Sequence, residues 1–105
     1  MSSVNEGRAM KSDIPPGSMK LVRVGDKEVV VANIDGKLYA IGNKCTHMGG
    51  PLAKGKLNGS LVQCPWHGSR FDIRTGAVVG PPATVPEETF EVVVEDDTIT
   101  IRKSL

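Results

Sequence analysis

Hydrophobic positions along this chain alternate with polar ones over short stretches, and almost nowhere recur at the three-to-four-residue interval of a helix. Met19-Lys20-Leu21-Val22-Arg23-Val24 alternates roughly, then Gly25-Asp26 turns the chain. Lys27 to Asn33, with Val29, Val30 and Val31 at its centre, predicts a second strand. Asp35-Gly36 is a hairpin signal that leads into a third, Lys37 to Ile41. Near the end, Phe90 to Val94 and Thr98 to Arg102 pair across Glu95-Asp96-Asp97. In Thr98-Ile99-Thr100-Ile101 polar and apolar residues alternate cleanly, as in a strand with one buried face. The expected aliphatic core is Val22, Val24, Val29, Val31, Ile41, Val92, Val94, Ile99 and Ile101.

Between Ile41 and Val85 glycine and proline punctuate the chain, and only short strands remain: Leu61 to Gln63, Arg70 to Ile73 and Ala77 to Val79. Arg74-Thr75-Gly76 reads as the turn joining the last two. Ile14-Pro15-Pro16-Gly17 reads as a stiff turn after a short edge strand. The fold class is therefore all-β, with small antiparallel sheets in a sandwich or barrel-like arrangement. Residues 42–84 are expected to form an inserted subdomain on a base built from 8–41 and 85–103, with the polar residues 1–7 loose.

A chain of 105 residues fits one domain. Thirteen Lys and Arg against twelve Asp and Glu give a net charge of +1, without the basic excess that marks a nucleic-acid binder. No apolar run reaches membrane-span length, and MSSVNEGRAMKSD does not read as a signal peptide, so the cytoplasm is the expected location. Glu87, Glu88, Glu91, Glu95, Asp96 and Asp97 read as a solvated face and turn.

The chain's two cysteines and two histidines all fall within residues 45–67. They read Cys45-Thr46-His47, sixteen residues, then Cys64-Pro65-Trp66-His67. Each half offers one soft thiolate and one imidazole, on turns at the ends of the strands Lys37 to Ile41 and Leu61 to Gln63. Adjacency of those strands would set the turns side by side. A mononuclear Cys₂His₂ zinc site is one reading, although zinc sites more commonly pair like ligands at each end. The other is a [2Fe–2S] cluster in which one iron takes two Cys and the other two His.

Cys45-Thr46-His47-Met48-Gly49-Gly50 and Cys64-Pro65-Trp66-His67-Gly68-Ser69 resemble the two cluster loops of Rieske-type iron–sulfur proteins. Gly80-Pro81-Pro82 is similar to the proline loop that covers the cluster in that family. The resemblance implies a Rieske-type fold and a [2Fe–2S] cofactor. Cys45 and Cys64 would hold the inner iron, and His47 and His67 the outer one, through Nδ1. The formal charges of two thiolates and two sulfides would then cancel those of two ferric ions. A neutral centre accepts an electron more readily than one held by four thiolates.

The high-potential branch of the family braces its loops with a disulfide. Gly50 and Trp66 occupy those two positions here, so that disulfide cannot form. That branch also donates two hydroxyl hydrogen bonds to cluster sulfurs. Ser69 matches the serine donor, and Phe71 stands in place of the tyrosine. One missing donor implies a potential in the lower half of the family range of about −150 to +300 mV.

Trp66 reads as packing beside the cluster, and Met48 as a surface contact or a docking contact. Lys44, Lys54 and Lys56 read as solvated surface or as a patch for an acidic partner. With both histidines engaged as ligands, no 2-His-1-carboxylate site for a catalytic iron can be assembled, so no enzyme activity is expected. Two roles follow from the resemblance. One is an electron carrier between a ferredoxin reductase and a terminal oxygenase or similar acceptor. The other is a small non-catalytic subunit of a larger redox enzyme, such as an assimilatory nitrite reductase.

Overall fold

A computed structural model of the chain describes residues 6–46, 48–66 and 68–103. Ten strands follow one another: β1 Glu6–Met10, β2 Met19–Val24, β3 Lys27–Ile34, β4 Lys37–Gly42, β5 Lys56–Asn58, β6 Leu61–Gln63, β7 Arg70–Asp72, β8 Val78–Gly80, β9 Thr89–Glu95 and β10 Thr98–Lys103. They form a six-stranded antiparallel sheet in the order β1-β10-β9-β4-β3-β2 and a four-stranded antiparallel sheet in the order β5-β6-β7-β8. The six-stranded sheet curls until its outer strands β1 and β2 touch, which nearly closes a barrel. Gly7 lies at that seam. A side chain there would run into the carbonyl oxygen of Arg23 and into Val22. Closing the sheet leaves little unpaired edge.

The hairpin turns are where Gly25-Asp26, Asp35-Gly36 and Asp96-Asp97 place them, with Asp35 and Asp96 at φ of 54° and 56°. The left-handed conformation suits Asp and Asn better than most other non-glycine residues. β3 is buried along its centre on both faces. Val29 and Val31 join Val22, Val24, Ile14, Ala40, Phe90, Ile99 and Ile101 inside the barrel. Val30 and Ala32, facing the other way, join Ile41, Leu52, Val62, Phe71, Ile73 and Ala83 in a second core beneath the small sheet.

Within the strands and the core the structure departs from the sequence reading in three places. Glu6 and Gly7 are not loose: they pair with Arg102 and Ile101 in β1. Lys56–Asn58 forms a strand that its short, mostly polar sequence did not suggest. Ile41 is fully buried, as expected, in the second core. Val92 is half-buried and Val94 is 45% exposed. β4 pairs with β9 only at Phe90 and Thr89, so Val94 runs out towards the turn with β10 as its one paired neighbour among the described residues.

Gly7→Ala should lower stability by about 1–3 kcal/mol, because its methyl group must push backbone at the barrel seam. Equilibrium urea denaturation of the two proteins measures this. Equal midpoints would mean that the seam is looser than it appears.

Candidate metal centre

Two loops of like construction carry the cysteines. In the first, Cys45 N–H donates to the Gly50 carbonyl at 2.8 Å and Gly49 N–H donates back to the Cys45 carbonyl at 2.7 Å. In the second, Cys64 N–H donates to the Ser69 carbonyl at 2.7 Å and Gly68 N–H to the Cys64 carbonyl at 3.2 Å. Gly49 and Gly68 both have φ of 80°, a left-handed conformation in which glycine carries no penalty. Each loop thus bends back on its cysteine through the same pair of hydrogen bonds.

The loops belong to different sheets, contrary to the adjacency read from the sequence. The first leaves β4 of the barrel, and the second joins β6 to β7 of the small sheet. The second core brings them together, with Cys45 and Cys64 both in it, each 3% exposed. At Gly50 the approach is closest: an added Cβ would lie 2.7 Å from Cys64 Sγ and 3.1 Å from the Trp66 indole. Gly50 and Trp66 therefore face one another, a glycine against an indole, with no room at Gly50 for a side chain.

The first loop is braced at its base by buried Asn43, which the sequence reading passed over. Its Oδ1 accepts from Ala53 N–H at 2.7 Å, and its backbone N–H donates to the Glu28 carbonyl at 2.9 Å. Lys44 pairs with Pro51 across the loop. Ser69 is fully buried, and its Oγ accepts from Ala83 N–H at 3.1 Å. This ties the second loop to the segment that follows Gly80-Pro81-Pro82. Pro81 and Pro82 are exposed, as are Met48 and Trp66, while Phe71 lies fully buried in the second core. His47 and His67 lie outside the described residues.

Glu87 corrects the sequence reading. It is not on a solvated face but only 8% exposed. Its Oε2 accepts from Thr46 N–H at 3.0 Å, between Cys45 and His47. Its backbone N–H donates to the Gly76 carbonyl at 2.8 Å, and Thr46 Oγ1 donates to the Val85 carbonyl at 2.6 Å. The 85–87 segment thus clamps the first loop onto the hairpin between β7 and β8. Burial pushes the Glu87 carboxyl up to about 7 against the Thr46 hydrogen bond, and the charge of Glu88 adds to the rise. In sequence Glu87 is one more carboxylate in an acidic run; only long-range packing sets it apart.

Buried thiols on two matched loops suit a metal or an iron–sulfur group. The matching family model is "Rieske [2Fe-2S] domain", over residues 8–96. The chain is 36% identical, over 84% of its length and 85% of the relative's, to the ferredoxin component of the naphthalene 1,2-dioxygenase/salicylate 5-hydroxylase systems of a Ralstonia species. It is 39% identical to mouse apoptosis-inducing factor 3 over 88% of its own length, and spans only 15% of that much longer protein. In structure it superposes on a chain from the complex of reduced oxygenase and oxidized ferredoxin in carbazole 1,9a-dioxygenase, with a TM-score of 0.90, 33% identity and 99% of each chain covered.

A carboxyl whose value lies above its ordinary 4.5 in the folded chain binds its proton more tightly there than when unfolded. That contribution to stability is whole below about pH 4.5 and is lost as pH rises through about 7. Between pH 5 and 8 the wild type should therefore lose stability relative to Glu87→Gln. Thermal melts of both proteins across this range check it, and parallel curves would contradict it.

Proposed function

Since this chain belongs to the Rieske [2Fe–2S] domain family, we propose that it is a one-electron carrier whose cluster is held by Cys45, His47, Cys64 and His67. The observation that supports this most is the convergence of two like loops, each bearing one cysteine and one histidine in sequence. Its donor would be a reductase and its acceptor a terminal oxygenase. Relatives of similar length are ferredoxin components of dioxygenase systems, which supports that placement. When bound, a cluster of this kind supplies a one-electron couple.

The chain's own residues set the conditions for that couple. Leu52, Val62 and Phe71 pack around the two cysteines and keep water from their side of the site. Ser69 Oγ receives the Ala83 N–H, and its own proton is the donor we assign to a cluster sulfur. Phe71 has no hydroxyl to offer beside it. Hydrogen bonds to sulfur favour the electron-rich reduced state, so the potential stays low in the family range.

A second reading treats the chain as one module of a larger oxidoreductase. Its match to 15% of apoptosis-inducing factor 3 favours considering that case. Co-purification of a stable partner subunit from the source cells would select it.

Voltammetry of the purified holoprotein should give a reversible one-electron wave below about +75 mV, the midpoint of the range above. Absence of a wave would contradict the carrier reading. Phe71→Tyr should move the wave upward, whereas an unchanged wave would mean that position 71 does not face a cluster sulfur.

A further inference from the structure

We propose that the end of the molecule bearing the two loops is a docking face for a redox protein whose own electron-exchange face is rimmed by carboxylates. The proposal rests on the carrier reading and adds the chemistry of the partner. At the centre of this face are exposed apolar side chains: Met48 of the first loop, Trp66 of the second and Val85 of the clamping segment, exposed by 60%, 57% and 55%. The three segments are joined to one another. Gly50 abuts Trp66, Thr46 is bonded to Val85, and Ala83 to Ser69. Exposed apolar groups gathered around buried thiols mark a surface suited to contact.

On the side of the small sheet the rim of this face is basic. Lys54 and Lys56 line a cleft of about 290 Å³ together with Cys64, Pro65 and Gly68. Lys44 adjoins Cys45 and pairs with Pro51 across the first loop. Arg70 begins β7 just after the second loop, and its guanidinium lies against Gly80. All four cations are exposed, and none makes an ion pair among the described residues. Of the carboxylates nearby, Glu28 pairs with Arg23, Glu88 with Lys27 and Asp72 with Arg74, Glu87 is buried, and exposed Asp26 shares a cleft with Lys44 on the side away from the small sheet. At the opposite end, Asp13, Asp35, Asp96 and Asp97 are exposed around the hairpin turns. The small-sheet side of the loop end thus carries three exposed cations, Lys54, Lys56 and Arg70, with no ion pair among the described residues. Their field orients the loop end towards an acidic face before contact is made.

The test uses the reduced holoprotein and two oxidants of opposite charge, followed by stopped flow at low and high salt. Ferricyanide is an anion, and cytochrome c is a basic haem protein. In each reaction one electron leaves the protein: ferricyanide becomes ferrocyanide, or ferric haem becomes ferrous, with no bond made or broken. Oxidation by ferricyanide should slow by about tenfold as salt rises, and oxidation by cytochrome c should quicken. Lys54→Glu/Lys56→Glu should slow ferricyanide and speed cytochrome c at low salt. Lys11→Glu/Lys37→Glu, the same change of charge at the far end, should move both rates much less. Equal effects of the two double variants, or a cytochrome c rate that falls with salt in the wild type, would overturn the proposal. Failure of both oxidants to react would remove the carrier reading, and this inference with it.

Discussion

Val29 and Val31 point into the barrel, and Val30 and Ala32, on the same strand, point out of it onto the small sheet. A strand buried on both faces cannot afford a polar side chain at its centre, and β3 has none between Val29 and Ala32. This strand is what makes the molecule one body. The barrel closes around one of its faces. The loops that carry Cys45 and Cys64 are packed over the other, with Leu52, Val62 and Phe71 between them. The site therefore inherits its rigidity from the sheet rather than from a covalent brace, and Gly50 lies directly against Trp66 with no cysteine at either position.

Much of this was legible in the sequence because it depends on local chemistry. Asp35-Gly36 and the alternation in Thr98–Ile101 identify their strands without reference to the rest of the chain. The two cysteine motifs likewise declare themselves by residue type and spacing. What was not legible depends on partners distant in the chain. The short edge strand before Ile14 was legible, but its start was not: Glu6 and Gly7 join it because β10 offers them an edge. Val94 looks like core by alternation, yet β4 reaches only the start of β9. Glu87 is the plainest case. Nothing in Pro86-Glu87-Glu88 separates the buried carboxyl from the exposed one beside it. The distinction comes from Gly76 and Thr46, one on each side of it in the folded chain.

The division of labour between the two ends of the barrel follows from the same architecture. At one pole the tight hairpins Asp35-Gly36 and Asp96-Asp97 join strands, and their aspartates serve the turn conformation and remain in water; the Gly25-Asp26 hairpin lies at the other pole, where Val29 pairs with Gly42. Strand ends at the other pole feed the long glycine-rich loops, where lysines flank the cysteines.

The central claim is that the paired loops hold a [2Fe–2S] group rather than a single zinc ion, and the most direct measurement is the EPR spectrum of the dithionite-reduced protein with iron, sulfide and zinc assayed on the same sample. The account predicts a rhombic signal whose average g lies below the free-electron value, with two irons and two acid-labile sulfides per chain and no zinc. A colourless, EPR-silent protein holding one zinc ion would contradict it and leave the same loops as a structural metal clasp.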